Sequence, residues 1–253
     1  MFQTHYLIQL DVMYRNGQLT AGTKEFIEML NRQGISYTIL TEQSGKTREQ
    51  IVSMLADAGL YEIRIEEIYT SAMAAVDYAY HYAKKRRACV YGGKGITSLL
   101  QKTGFEFDYI APEFLFVGLD TQLSYEEYSD ALEMLFDGTV MLATDSRKTV
   151  LSDGRSRIGS AAIVSMLETA SGTEALHFGR GSRLLWQWLL KYIRKTAADV
   201  TAVGNHFEKD IISAADLGIR TVYVADDDAG AEALMSSRIH PDYIIENLAG
   251  LTR

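Results

Sequence analysis

The chain alternates short apolar runs with amphipathic stretches along nearly its whole length. The runs 6–10, 37–40, 115–117, 140–142, 200–203 and 221–224 read as strands. Between them lie stretches of helical period. In 23–31, Phe26, Ile27, Met29 and Leu30 can share one face, as a core-facing helix requires. Further helical stretches are 48–58, 125–136, 182–194 and 209–217. Gly34, Gly59, Gly104, Gly138, Gly172 and Gly218 each follow a helix-like stretch, where left-handed backbone closes the last turn. Strands alternating with helices need crossover connections. They predict an α/β fold with a largely parallel sheet covered on both faces, and not a sandwich or barrel.

In such a sheet ligands collect beyond the carboxyl ends of strands, on loops that lead into helices. Four loops qualify. The first reads Leu7-Ile8-Gln9-Leu10-Asp11-Val12-Met13, and the second Ile39-Leu40-Thr41-Glu42-Gln43-Ser44-Gly45. The third is His177-Phe178-Gly179-Arg180-Gly181-Ser182, and the fourth Val203-Gly204-Asn205-His206-Phe207-Glu208-Lys209-Asp210. In this order they resemble the four motifs of the haloacid dehalogenase (HAD) superfamily. The resemblance is to subfamily IIA, the p-nitrophenyl and nucleotide-monophosphate phosphatases with a large C2-type cap. It runs on through Thr70-Ser71-Ala72, Val117-Gly118-Leu119-Asp120, Ala143-Thr144-Asp145 and Ile158-Gly159-Ser160. It implies a Rossmann-like core of residues 1–84 and 178–253, an inserted α/β cap of 85–177, and phosphate-ester hydrolysis with Mg2+.

Several motif positions depart from the family pattern. The family's first loop carries two aspartates: one attacks phosphorus, the other is the general acid and base. Gln9 stands at the nucleophile position and Asp11 at the acid/base position. An amide has no anionic oxygen with which to form an acyl phosphate, and Gln is one methylene longer than Asp. Thr41 matches the hydroxyl that bonds phosphoryl oxygens, and Glu42 after it brings an acid toward a site meant for an anion. Arg180 replaces the family's Lys, keeping the charge in a different geometry. Asn205 replaces a Mg2+-binding Asp, while Asp210 is retained beside Lys209.

Thr41, Arg180 and Asn205 are therefore the expected phosphate-binding residues. Asn205 and Asp210, with the Asp11 carbonyl and Glu208, are what remains of a weak or absent Mg2+ site. The expectation is a phosphatase-like protein that is catalytically impaired and keeps a phosphorylated small molecule or inorganic phosphate. Arg180, Thr41 and backbone N–H groups after Asp11 and Gly179 would hold it. Two other readings stay open: an active phosphatase that uses Asp11 for direct water attack, and a non-catalytic interaction protein. In the cap, the family's Thr-Asn-x-Asp becomes Thr144-Asp145-Ser146-Arg147, which points to an altered ligand or a loop released from recognition.

Composition narrows the classes. With 25 basic and 33 acidic residues, the 253-residue chain has a net charge of -8, which opposes nucleic-acid binding. The basic run at 84–87 reads as a solvated connection. No apolar stretch reaches the roughly 20 residues of a membrane span. The first five residues lack a basic segment followed by an apolar run, so no secretory signal is expected and the protein is predicted to be cytoplasmic. Cys89, the single cysteine, reads as a buried thiol. The glycine-rich run 91–98 lacks P-loop spacing, and the five histidines show no metal-ligand spacing. Tyr78, Tyr80, Tyr82, Trp186 and Trp188 read as packing residues, and His206 is the one histidine placed for ligand contact. A homodimer is left open.

Overall fold

The computed structural model describes residues 4–152, 154–225 and 237–252. The first three residues of the chain, on which the reading of its start partly rests, lie outside them. The chain forms two compact units. One contains residues 1–41, 48–69 and 189–253, and the other 42–47 and 70–188. The sequence boundary at 84/85 thus falls inside the second unit.

The first unit is built on a six-stranded sheet. Its order is Tyr243–Ile245, Arg220–Val224, Val200–Gly204, His5–Gln9, Tyr37–Thr41 and Ile68–Thr70. The pairings from the first of these through Tyr37–Thr41 are parallel, with Ile8 opposite both Val203 and Ile39. Every residue of the three central strands is buried. Burial on both faces explains why these strands read as continuous apolar runs instead of alternating ones. Helix Thr23–Gln33 buries Phe26, Ile27 and Leu30 completely, and the Phe26 ring meets Tyr6 edge-on at 5.5 Å. At the entry to this helix Gly22 has φ 79°, and a Cβ there would lie 2.0 Å from the backbone nitrogen of Ala249. Only glycine allows so close an approach.

The second unit has a five-stranded parallel sheet, ordered Leu176–His177, Val140–Ala143, Phe114–Val117, Arg87–Tyr91 and Glu106–Phe107. Helices Tyr125–Phe136 and Ser160–Ser171 bury Leu135, Val164 and Leu167 against it. Thr149–Ser152 and Arg155–Ile158 form a separate antiparallel hairpin.

The helix-closing glycines follow the expected pattern: all six have positive φ. The strand expected at 6–10 stops at Gln9, because Leu10 opens the short helix Leu10–Met13. The stretch expected as helix at 209–217 is a π-helix, Phe207–Ile212, running into Ser213–Ala215. Cys89 is fully buried, and burial pushes its thiol up to about 12. In the basic run, the backbone N–H groups of Lys84, Lys85 and Arg86 donate to the Glu113 carboxylate at 2.7, 2.9 and 3.2 Å. Arg87 pairs with Asp108, and the Arg86 guanidinium sits over the Tyr80 ring. Tyr78 packs against Tyr82, Phe178 and Trp188. The glycine-rich run serves close backbone packing: a Cβ on Gly93 would lie 2.5 Å from the Gly45 Cα, and Gly95 N–H donates to the Gly45 carbonyl at 3.0 Å. Among the described residues no helix is long and apolar enough to cross a membrane.

His5 gives a pH test of this fold. Its ring lies between the Ser36 and Thr38 hydroxyls at 2.9 and 2.8 Å. Burial, aided by Lys195, lowers its pKa from 6.5 to about 4. The unfolded chain therefore binds the extra proton first, so His5 contributes stability above pH 6.5 that is lost as pH falls toward 4. In urea denaturation, His5→Gln is expected to flatten the decline between pH 6.5 and about 5, above most carboxylate titrations.

Candidate functional site

Three neighbouring parallel strands of the first unit end side by side: Tyr37–Thr41, His5–Gln9 and Val200–Gly204. Parallel pairing puts their carboxyl ends on one edge. That edge therefore gathers Thr41, Gln9 and the start of the Gly204-Asn205 loop, with Asp11 two residues beyond Gln9. Thr41 is buried and Asn205 half-buried.

Gln9 is 5% exposed, and its Nε2 is buried with no hydrogen-bond partner. A buried donor left without an acceptor costs about 1–3 kcal/mol. Asp11 is exposed on the helix Leu10–Met13. Its carbonyl, expected as a metal ligand, accepts from Arg15 Nε at 2.8 Å. Arg15 belongs to a small hairpin whose turn, Asn16 at φ 50° and Gly17 at φ 84°, uses left-handed backbone at both positions, as a two-residue hairpin turn requires.

The fourth loop is organised by Asp210. This residue is 0% exposed, and its Oδ2 accepts the backbone N–H groups of Asn205 at 3.0 Å and His206 at 2.9 Å. Gly204 makes the approach possible: a Cβ there would lie 2.3 Å from the Asp210 Cβ. The wide π-helical turn Phe207–Ile212 carries Asp210 inward, a helix form often found at functional positions. The exposed His206 has a local task, with Nδ1 accepting the Lys209 N–H at 3.3 Å. Among the described residues, no three His, Cys, Asp or Glu side chains are grouped to hold a metal.

Arg180 lies in the second unit and is half-buried. The loop there differs from the sequence expectation. Glu42 Oε2 accepts the Arg180 N–H at 3.0 Å and the Ser146 N–H at 2.9 Å. One backbone donor expected to serve a ligand after Gly179 is thus taken by a side chain of the protein. Burial pushes the Glu42 carboxyl up, but the Ser146 and Arg180 N–H groups outweigh it and hold the group below its ordinary value. Arg147 contacts Glu42 at 3.8 Å and grips Asp145 through Nε and Nη2. Burial keeps the Asp145 carboxyl above its ordinary value, with Arg147 pulling it down and Glu42 adding to the rise. Sequence reading missed this cluster. Its traces in the sequence were the acid directly after Thr41 and the departure at Asp145, Ser146 and Arg147; Gly179 gives the cluster room, since a Cβ there would lie 2.6 Å from the Ser146 nitrogen.

Comparison with known proteins places these loops in a family. Residues 9–106 match the model for haloacid dehalogenase-like hydrolases, and residues 177–251 match a second, HAD-hydrolase-like model. The chain belongs to the haloacid dehalogenase-like hydrolases. NagD from E. coli K-12 superposes with a TM-score of 0.91 at 21% identity over 98% of both chains. The p-nitrophenyl phosphatase from Archaeoglobus fulgidus reaches 0.90, again at 21% identity over 98% of both chains. An acid sugar phosphatase of Staphylococcus aureus (strain USA300) is 26% identical over 250 residues, 96% of this chain and 94% of its own.

The buried carboxylate of Asp210 supports its loop, and this predicts a stability phenotype. Asp210→Asn loses charge-assisted bonds to Asn205 and His206, so a loss of about 1.5–3 kcal/mol is expected. Urea denaturation should give the same loss with Mg2+ and with a chelator; a loss seen only with Mg2+ would instead make Asp210 a metal ligand.

Proposed function

We propose that this HAD-type protein binds a phosphate ester or inorganic phosphate at the carboxyl edge of its first sheet, without the covalent hydrolysis its phosphatase relatives are named for. The observation that carries this reading is Gln9. Its buried, unpartnered Nε2 stands where the family resemblance puts the nucleophile. A neutral N–H donor suits a phosphoryl oxygen as acceptor and cannot attack phosphorus. Thr41 adds a hydroxyl at the neighbouring strand end.

The same residues fit Mg2+ poorly. The ion takes hard oxygen ligands, including one or two carboxylates. Gln9 and Asn205 are neutral amides, and the Asp210 carboxylate is fully buried and engaged by its own loop. The proposed site is therefore independent of magnesium. The exposure of Asp11 favours one second reading, a slow hydrolysis in which Asp11 activates water directly.

Two measurements separate these readings. With Mg2+ and p-nitrophenyl phosphate, turnover is expected to lie on the order of a millionfold below that of an intact covalent site, or about 8 kcal/mol of barrier. A substantial rate lost in Asp11→Asn would establish the second reading. Calorimetric titration with phosphate, sulfate or tungstate in a chelator should show binding to the wild type, weakened about tenfold by Gln9→Ala and further reduced by Arg180→Ala. No binding at millimolar anion would overturn the proposal.

A further inference from the structure

Glu42 joins three segments that are remote in sequence. Its Oε2 reaches Ser146 N–H and Arg180 N–H, 104 and 138 residues away. Its Oε1 faces Arg147, which also holds Asp145. Two largely buried carboxylates thus share one guanidinium, and Arg147 is committed within the protein. The backbone is shaped for this contact. Gly179 lets its loop approach Ser146, and the Glu42 segment is pinned further along, where Thr144 Oγ1 donates to Ser44 Oγ at 2.8 Å and Gly95 N–H to the Gly45 carbonyl. An exposed ion pair would add little to stability. A carboxylate removed from water and accepting two backbone N–H groups is a different case: it is strong, directional, and costly to leave unfilled.

We infer that Glu42 is a positioning residue for Arg180. Its carboxylate fixes the backbone from which the Arg180 side chain extends and locks the 145–147 loop to the same point. The inference rests on the reading that this chain binds a phosphate-like anion, for which motif resemblance makes Arg180 the cation. Glu42 does not touch that ligand; it acts through the Arg180 and Ser146 amides. The acid that follows Thr41 is thereby accounted for, because its charge is satisfied by Ser146, Arg180 and Arg147.

The test uses the full-length chain, with Glu42→Gln as the size-conserving variant and Glu42→Ala beside it. Hydrogen exchange of the Ser146 and Arg180 amides reads the clasp itself, without any ligand. Loss of a charge-assisted bond is expected to accelerate both by roughly ten- to hundredfold, while Ile8 in the first sheet keeps its wild-type rate. Sulfate titration then reads positioning. Glu42→Gln should lose most of the affinity lost by Arg180→Ala, and the double variant should be little worse than Arg180→Ala alone, since the two act on one contact. Unchanged exchange at Ser146 and Arg180 overturns the clasp. Additive losses in the double variant overturn the link to Arg180. If the wild type fails to bind sulfate while the two amides still accelerate in Glu42→Gln, the anion-site reading falls and the clasp stands.

Discussion

The strand His5–Gln9, hydrogen-bonded on both sides to parallel neighbours, is the constraint on which the rest of the first unit depends. A parallel sheet leaves all its carboxyl ends on one edge, so whatever residue ends this strand faces the loops of both neighbours. Covering the sheet on both faces demands apolar side chains along the strands, and polar chemistry is confined to their last residues and the turns beyond. Gln9, Thr41 and Asn205 are brought together by that rule alone. The same rule leaves Gln9 Nε2 buried without an acceptor, a local unfavourable term of the kind that a bound anion can relieve.

Charge explains what the edge can hold. Two positions that carry carboxylates in the family pattern are amides here, and a third carboxylate, Asp210, is buried and bound to the backbone of its own loop. Removing anionic oxygens lowers the attraction for a divalent cation and removes the repulsion of an anionic ligand. On the reading proposed above, the two effects act together and favour phosphate over metal. The Glu42 carboxylate is satisfied within the second unit by two backbone N–H groups and Arg147.

Asp210 and Glu42 show one device in both units. In each, a buried carboxylate collects two backbone N–H groups and fixes a loop, and in each a glycine supplies the room, Gly204 beside Asp210 and Gly179 beside Ser146. Such carboxylates look catalytic or metal-binding in a sequence, because acids at strand ends are common in active sites. In this structure each of the two accepts backbone N–H groups that hold its loop.

The sequence by itself determined the alternation of elements, the helix-closing glycines and the family resemblance. These depend on local periodicity and on residue types at strand ends, both visible along the chain. It also showed the substitutions at positions 9, 180 and 205. It could not show that Leu10 starts a helix directly after Gln9, or that 207–212 winds as a π-helix. Nor could it show where Glu42 and Asp210 direct their carboxylates. Only the tertiary structure decided that, because the N–H partners of Glu42 come from segments more than a hundred residues away, and those of Asp210 from a turn whose width no periodicity reveals.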